Sequence, residues 1–221
     1  IRRQRQMCIR DRPPLALGKL EPVAIQIAAM TGNPAPRLKD KAVVLFAADH
    51  HIADHGLSLT STDVTYIQTR NFLQGGGTIN AFTRNAGARL SVVDVGVNYD
   101  FGDLPGLVKR KVMHGASDFS RGPAMTREQA LECPQVGIDM AREEKARGLD
   151  IVAAGEMGIG NTTPSSAIVA VLTGTPVETV TGRGSGVKGE VIRKKIELIE
   201  QGIALNKPDP SDAIDVPAKV G

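Results

Sequence analysis

Tryptophan is absent from the 221-residue chain, and aromatic residues make up only 3% of it. A core without large rings has to be assembled from Ala, Val, Ile and Leu. Cysteine is scarce as well. Cys8 and Cys133 alone exclude a disulfide scaffold and fit a reducing, cytoplasmic compartment. Nor does any CxxC or Cys/His spacing of a structural metal site occur. No apolar run approaches the ~18 residues that a membrane span requires, and no cleavable signal pattern is present. Glycine, by contrast, is plentiful at 24 residues, beside 41% hydrophobic content. That pairing suits an α/β protein with tight strand-to-helix turns, and the length suffices for one substantial core.

The net charge of +3 belongs to one end of the chain. Residues 1–12, IRRQRQMCIRDR, hold five of the 27 basic residues and one of the 24 acidic ones. The rest carries about −1 at neutral pH. A basic arm for nucleic acid is one reading of this segment. The string also resembles translated adapter read-through at the ends of metagenomic reading frames. On that reading it is not native, no nucleic-acid partner is expected, and the domain occupies residues 13–221.

Three short runs, continuously apolar and rich in β-branched residues, read as buried parallel strands. They are 42–48 (AVVLFAA), 90–97 (LSVVDVGV) and 151–154 (IVAA). Helical periodicity covers 20–30, with Leu20, Val23, Ala24 and Ile27 on one face. It returns over 64–85, interrupted by Gly75, Gly76 and Gly77. A third helix is expected over 126–148, opened by a capping box of Thr126 and Gln129, with Pro134 kinking or breaking it. Thr163 and Pro164 read as N-cap and first residue of a helix to about Leu172. The last helix spans 190–205 and ends near Pro208. Residues 206–217 (NKPDPSDAIDVP) read as a connection, and a stop four residues later reads as truncation. Strands alternating with helices predict a doubly wound, Rossmann-like parallel sheet with helices on both faces, plus an incomplete small helical part. Ligands of such sheets bind beyond the carboxyl ends of the strands, where Asp49, Gly96 and Glu156 stand.

The most informative segment is 155–163, GEMGIGNTT. Gly155, Gly158 and Gly160 permit a tight turn and close backbone approach to a ligand. A helix start follows, so its free amides and positive dipole end make an anion site, naturally a phosphate. Asn161, Thr162 and Thr163 add side-chain donors. The bland alternative is a Gly-rich turn with no ligand. The segment also imitates GxxxxGK[ST], but Asn161 stands where that loop has the Lys that neutralises the β/γ-phosphates. An ATPase is therefore disfavoured, while a monophosphate needs less neutralisation. A second turn, 182–186 (GRGSG), can add amides from Gly184 to the same phosphate, and Lys195 can add charge. Between 48 and 56, ADHHIADHG gathers Asp49, His50, His51, Asp54 and His55, which invites a metal-hydrolase reading. The histidines lack the spacing of a shared helical face, so no metal is expected. A polar loop, with Asp49 bonding local backbone, is the expectation.

Together the segments RPPLALGKLE, FAADH, DVTYIQTRNFLQGG, VVDVGV, GPAMTREQA, GEMGIGNTTPSSA, GRGSG and NKPDPSDAIDVPAKVG resemble the nicotinate-nucleotide–dimethylbenzimidazole phosphoribosyltransferase family, in order and spacing, over 13–221. The resemblance implies transfer of phosphoribose from nicotinate mononucleotide to 5,6-dimethylbenzimidazole, giving α-ribazole 5′-phosphate for cobalamin assembly. It implies small-molecule substrates, no cofactor and a homodimer. It places Glu156 beside the reacting ribose. Phosphate contacts fall on Gly158, Gly160, Asn161, Gly184 and Lys195, and the acceptor base on Thr60 and Gln68. It puts the general base, a Glu, past Gly221, so that these 221 residues alone are expected to be inactive. Three departures stand out. Thr60 replaces the commoner Ser, KPPGSLG reads RPPLALG, and ADHG reads ADHH, with His51 where Gly has free backbone angles. A P-loop-like module, a metal hydrolase and a non-enzymatic nucleotide-binding remnant are the competing readings.

Overall fold

The computed structural model describes Pro13 and residues 16–221. The chain forms two compact units, residues 1–40 and 41–221. The first contains helix α1 (Leu20–Thr31), closed by Gly32 in the left-handed conformation at φ 66°. Of its expected apolar face, Leu20 and Val23 are exposed and Ala24 and Ile27 half-buried; the buried residue of the helix is Ala28, outside that set.

The second unit is built on four parallel strands, β1 (Lys41–Ala48), β2 (Ala88–Gly96), β3 (Leu107–Lys109) and β4 (Ile151–Met157), in the order β3-β2-β1-β4. A 3₁₀ turn (His51–His55) follows β1. The helices are α2 (Val64–Leu73), α3 (Thr78–Ala86), α4 (Arg127–Ala146), α5 (Thr162–Thr173), α6 (Val177–Val180), α7 (Glu190–Asn206) and α8 (Asp215–Val220). Because side chains alternate across a strand, neighbouring residues serve opposite layers. Val44 and Val93 pack with Val136 and Met140 of α4. Leu45 and Val92 pack with Phe72 and Leu73 of α2 and Ile79 of α3. The sheet is therefore covered on both faces, as the alternation of strands and helices predicted. A third apolar cluster joins Ile52, Leu57 and Phe119 to Ala167 of α5, Ile199 of α7, and Val216 and Val220 of α8.

Several local expectations change. Strand β3 has only three residues, too few to leave a periodic signal. β4 is an edge strand and is not buried, with Ile151 and Val152 both 45% exposed. It also runs on through Gly155 and Glu156, so Gly155 is a strand residue and not part of the turn. A Cβ there would lie 3.2 Å from Leu45 Cδ1. Thr126 and Gln129 form the expected capping box, but α4 continues through Pro134 as one 20-residue helix. α5 begins two residues early: Asn161 is its N-cap and Thr162 its first residue. Pro164 thus falls third, still within the first turn, where a missing N–H costs nothing. Finally, the 206–217 connection holds the start of α8, whose amides at Ile214 and Asp215 are capped by Asp212 Oδ1. Pro217 is again in a first turn, which is why proline content misleads at both places.

Candidate active site

With the order β3-β2-β1-β4, the chain leaves β1 toward β2 on one side and returns to β4 on the other. Adjacent connections diverge there, which opens a crevice beyond the carboxyl ends of β1 and β4. The pairing Phe46↔Glu156 brings Glu156 to this edge. A cavity of about 340 Å³ lies there, lined by residues that include Phe46, His50, Val95, Glu156, Asn161 and Ile168.

The turn from β4 into α5 is made by close packing. A Cβ on Gly158 would sit 2.4 Å from the Ala48 carbonyl oxygen and 3.3 Å from the His50 ring. Gly160 adopts φ 89°, and a Cβ there would lie 2.5 Å from that of Ala53. The turn also closes on itself. Asn161 N donates to Gly158 O at 3.2 Å and Thr163 N to Gly160 O at 2.9 Å, so two of the amides assigned to a phosphate are internally used. Gly160→Ala combines left-handed strain with a steric clash and should cost about 2–4 kcal/mol. Urea unfolding checks this, with Gly122→Ala, whose added methyl meets nothing within 4 Å, staying within about 0.5 kcal/mol.

Asn161 donates through Nδ2 to both carboxylate oxygens of Glu156, each at 2.7 Å. The next residue serves a different partner. Thr162 Oγ1 accepts from Lys195 Nζ at 2.7 Å, and the same ammonium donates to Gly182 O at 3.3 Å. Lys195 is only 1% exposed, and among the described residues no carboxylate pairs with it. Burial therefore holds its pKa below the usual lysine value. Gly184, at φ 51°, stands over this pair: a Cβ would come 2.8 Å from Thr162 Oγ1 and 3.8 Å from Lys195 Nζ. Position 161, where a P-loop has its Lys, holds Asn, and the ammonium beside the next residue is that of Lys195 from α7. Thr163 is buried and its hydroxyl has no partner.

Thr60 and Gln68 are more peripheral. Thr60 is exposed, and its amide donates to Ser58 Oγ at 3.3 Å. Gln68 accepts from Asn71 Nδ2 at 3.0 Å and lines a groove along α2 with Tyr66. Tyr66 stacks on Tyr99 at 4.5 Å and also borders a smaller cavity with Asp49, His50 and Asn98. Sequence reasoning missed this stacked pair; the scarcity of aromatics was its only signal.

The histidine loop disperses its side chains. Asp49 Oδ2 accepts from Asn98 N at 2.8 Å, a backbone partner across to the segment after β2. His50 is half-buried between the two cavities, with its Nδ1 buried and unpartnered, and desolvation, aided by the nearby His51, lowers its pKa to about 4. His51 lies 3.1 Å from Asp54 Oδ2 and 3.2 Å from His114 O. Desolvation opposes its protonation, but those two bonds and the Asp54 and Asp49 charges outweigh it and raise its pKa. His51 does not need the backbone freedom expected of a Gly at this place, since Lys207 is the one described non-glycine residue with positive φ. His55 Nε2 lies 2.8 Å from Asp118 Oδ2. Among the described residues, no three His, Cys, Asp or Glu side chains are grouped to hold a metal ion.

A family model described as DBI_PRT, phosphoribosyltransferase, matches residues 2–221. The chain belongs to this family. Similar members of the DBI_PRT phosphoribosyltransferases carry the name nicotinate-nucleotide–dimethylbenzimidazole phosphoribosyltransferase. The one from Geobacter sulfurreducens is 51% identical over 212 residues, which is 96% of this chain and 60% of that protein. The one from Roseiflexus sp. strain RS-1 is 48% identical over 218 residues, 99% of this chain and 62% of its own length. CobT from Thermus thermophilus superposes with a TM-score of 0.90 at 44% identity, covering 95% of this chain and 63% of that one. The present chain thus spans about 60% of the length of the curated phosphoribosyltransferases it matches.

Proposed function

We propose that this DBI_PRT family chain provides the mononucleotide site for phosphoribosyl transfer from nicotinate mononucleotide to 5,6-dimethylbenzimidazole. The observation that carries the proposal is the division of labour between two consecutive residues at the start of α5. Asn161 holds the Glu156 carboxylate, while Thr162 receives the buried, carboxylate-free Lys195 ammonium under Gly184. A carboxylate and a phosphate-seeking cation are thus anchored on consecutive residues, which suits a ligand that carries a ribose and a phosphate together. Gly158 and Gly160 let the turn pack directly on Ala48 O and Ala53, which sets its place at the site, and Thr162 can still donate its own proton to a phosphate oxygen. Thr163 belongs to the same segment and supports it from inside.

The chemistry asks for little else. Nicotinate leaves from a ring that is already a cationic pyridinium, so its departure needs no acid and no Lewis acid. Positive charge then develops on the ribose, and Glu156 stabilises it electrostatically. A benzimidazole nitrogen attacks from the opposite face, inverting the anomeric carbon, and the proton remaining on the heterocycle must be taken by a base. Thr60 and Gln68 are the proposed contacts of that heterocycle. The resemblance assigns that base to a Glu outside the described residues, whose own part in the proposal is the mononucleotide site. Homodimerisation and a cytoplasmic setting belong to the same proposal. They rest on the family likeness and on a half-buried free thiol at Cys133.

Calorimetric titration with nicotinate mononucleotide, and with ATP·Mg²⁺ as comparator, tests the reading. Saturable binding of the mononucleotide alone is expected. Binding of ATP alone would turn the assignment into a P-loop-like nucleotide module. Binding of neither, by a folded sample, would remove Lys195 and Thr162 as a phosphate site.

A further inference from the structure

The turn 182–186 does more than cover Lys195. On one side its Gly182 carbonyl accepts from Lys195 Nζ, and the bare Cα of Gly184 faces Thr162 Oγ1. On the other side Ser185 reaches across to the segment that carries Thr60. Ser185 Oγ accepts from Leu59 N at 3.1 Å and lies 3.1 Å from Ser58 Oγ. Ser58 Oγ in turn accepts from Thr60 N at 3.3 Å and is 3.3 Å from Thr60 Oγ1. Gly186 continues the contact, since a Cβ on it would lie 3.7 Å from Leu59 Cδ1. An unbroken series of polar contacts therefore runs from Lys195 and Thr162, through one five-residue turn, to the Thr60 segment. Leu59, at the middle of that segment, is 69% exposed. Its packing holds it weakly, which leaves the Ser185 hydroxyl a large share in fixing its position.

We infer that Ser185 is a positioning residue that couples phosphate occupancy to the acceptor-base segment 58–60. The inference rests on the reading above, in which Lys195 and Gly184 take the phosphate and Thr60 meets the heterocycle. A phosphate seated on Lys195 and on the backbone of the turn fixes the turn, and the fixed turn presents Ser185 Oγ to Leu59 N and Ser58 Oγ. The segment is then held in the form that the benzimidazole binds. Without phosphate the turn is held by the Gly186 and Val187 amides on Arg183 O and by the Lys195–Gly182 and Ser185 contacts, and the segment is fixed less tightly than with phosphate seated. The consequence is ordered assembly: the mononucleotide prepares the place of the acceptor. Coupling of this kind between sites commonly reaches about 5-fold or more, and by linkage it acts equally in both directions.

The test is calorimetric titration of 5,6-dimethylbenzimidazole into the 221-residue chain, with and without saturating nicotinate mononucleotide. In the unmodified protein the mononucleotide should tighten acceptor binding by about 5-fold or more. In Ser185→Ala the ratio of the two affinities should fall to about 1. The ratio is formed within each variant, so an overall loss of affinity or stability does not mimic the effect. Ser185→Thr keeps the hydroxyl and should restore most of the ratio, and Ser58→Ala should lower it partly. An unchanged ratio in Ser185→Ala overturns the inference, as does a chain that binds mononucleotide but shows no coupling or no acceptor binding. Failure of the unmodified chain to bind mononucleotide would instead bring down the phosphate reading on which the inference stands.

Discussion

Replacing Lys195 by Met should weaken nicotinate mononucleotide binding by about 100-fold or more while leaving the unliganded protein as stable as before, or more so. The two halves of this expectation have one cause. Lys195 is buried against two neutral oxygens, Thr162 Oγ1 and Gly182 O, and its pKa is lowered by desolvation. In the empty protein the ammonium therefore costs stability, and an apolar side chain of similar length removes that cost. Once a phosphate arrives, the same burial strengthens the attraction between the charges. Truncating one partner of such a desolvated pair costs about 2–5 kcal/mol. A Lys serving only the fold would behave in the reverse manner, with stability falling and affinity following it. The pH dependence adds a second readout. Lys195 binds its proton less tightly folded than unfolded, so its contribution to stability improves as pH rises toward the unfolded value of about 10.5. Phosphate affinity moves the other way and declines on the same rise, because the deprotonated amine no longer attracts the anion. Thermal unfolding and calorimetry on the same two proteins, at neutral and alkaline pH, decide the matter.

How far the site was legible follows from which of its features are local in sequence. Glycines 158 and 160, Asn161 and Thr162 sit in one nine-residue segment, and their chemistry could be named from spacing alone. Their detailed geometry could not. Whether a glycine serves a ligand or a neighbouring strand depends on what stands opposite, and here that is Ala48 O and the Ala53 side chain. Two of the amides credited to phosphate are spent inside the turn, which no residue pattern reveals. Lys195 carries no local signal at all, as a lysine on a helix is ordinarily a solvated one. Resemblance singled it out, and the fold explains it by laying α7 against α5 so that its ammonium reaches Thr162. The strand pattern was readable where strands are central: β1 and β2 lie within two residues of expectation. β3 was too short to register, and β4 was misjudged as buried because an apolar edge strand has the same composition as a central one. Prolines 134 and 217 were overweighted as breakers, whereas Pro164 was read as opening a helix, two residues late. Pro217, like Pro164, stands in the first turn of a helix, where its missing N–H has no intrahelical partner to lose.

The other large expected effect concerns acid. Between about pH 6.5 and 4.5 the folded protein should lose about 2–3 kcal/mol of stability, and His50→Gln should flatten that slope. Folded His50 has a pKa of about 4, against the ordinary histidine value of 6.5, first because it is desolvated and then because His51 stands beside it. Across the interval between those values the unfolded chain takes up a proton that the folded one refuses. Stability therefore falls as the pH falls, by up to about 1.36 kcal/mol per unit for one proton. His51 has the opposite sign. Its raised pKa gives a contribution that is fully present below 6.5 and is lost only as pH rises through its folded value. It therefore adds nothing to the loss in the acid interval. The carboxylates with lowered values, Asp103, Asp118, Glu128, Glu144, Asp212 and Asp215, lose their contributions chiefly at lower pH, as they approach protonation below about 4.5. The interval thus isolates His50 from the other shifted groups. Urea unfolding at half-unit steps of pH measures the slope directly. If His50→Gln retains the full loss, the desolvated neutral imidazole is not its source. If the slope flattens, the ring that separates the Glu156 crevice from the Tyr66 cavity is held neutral in the folded protein down to about pH 4. A neutral wall there leaves Lys195 as the charge that selects the phosphate.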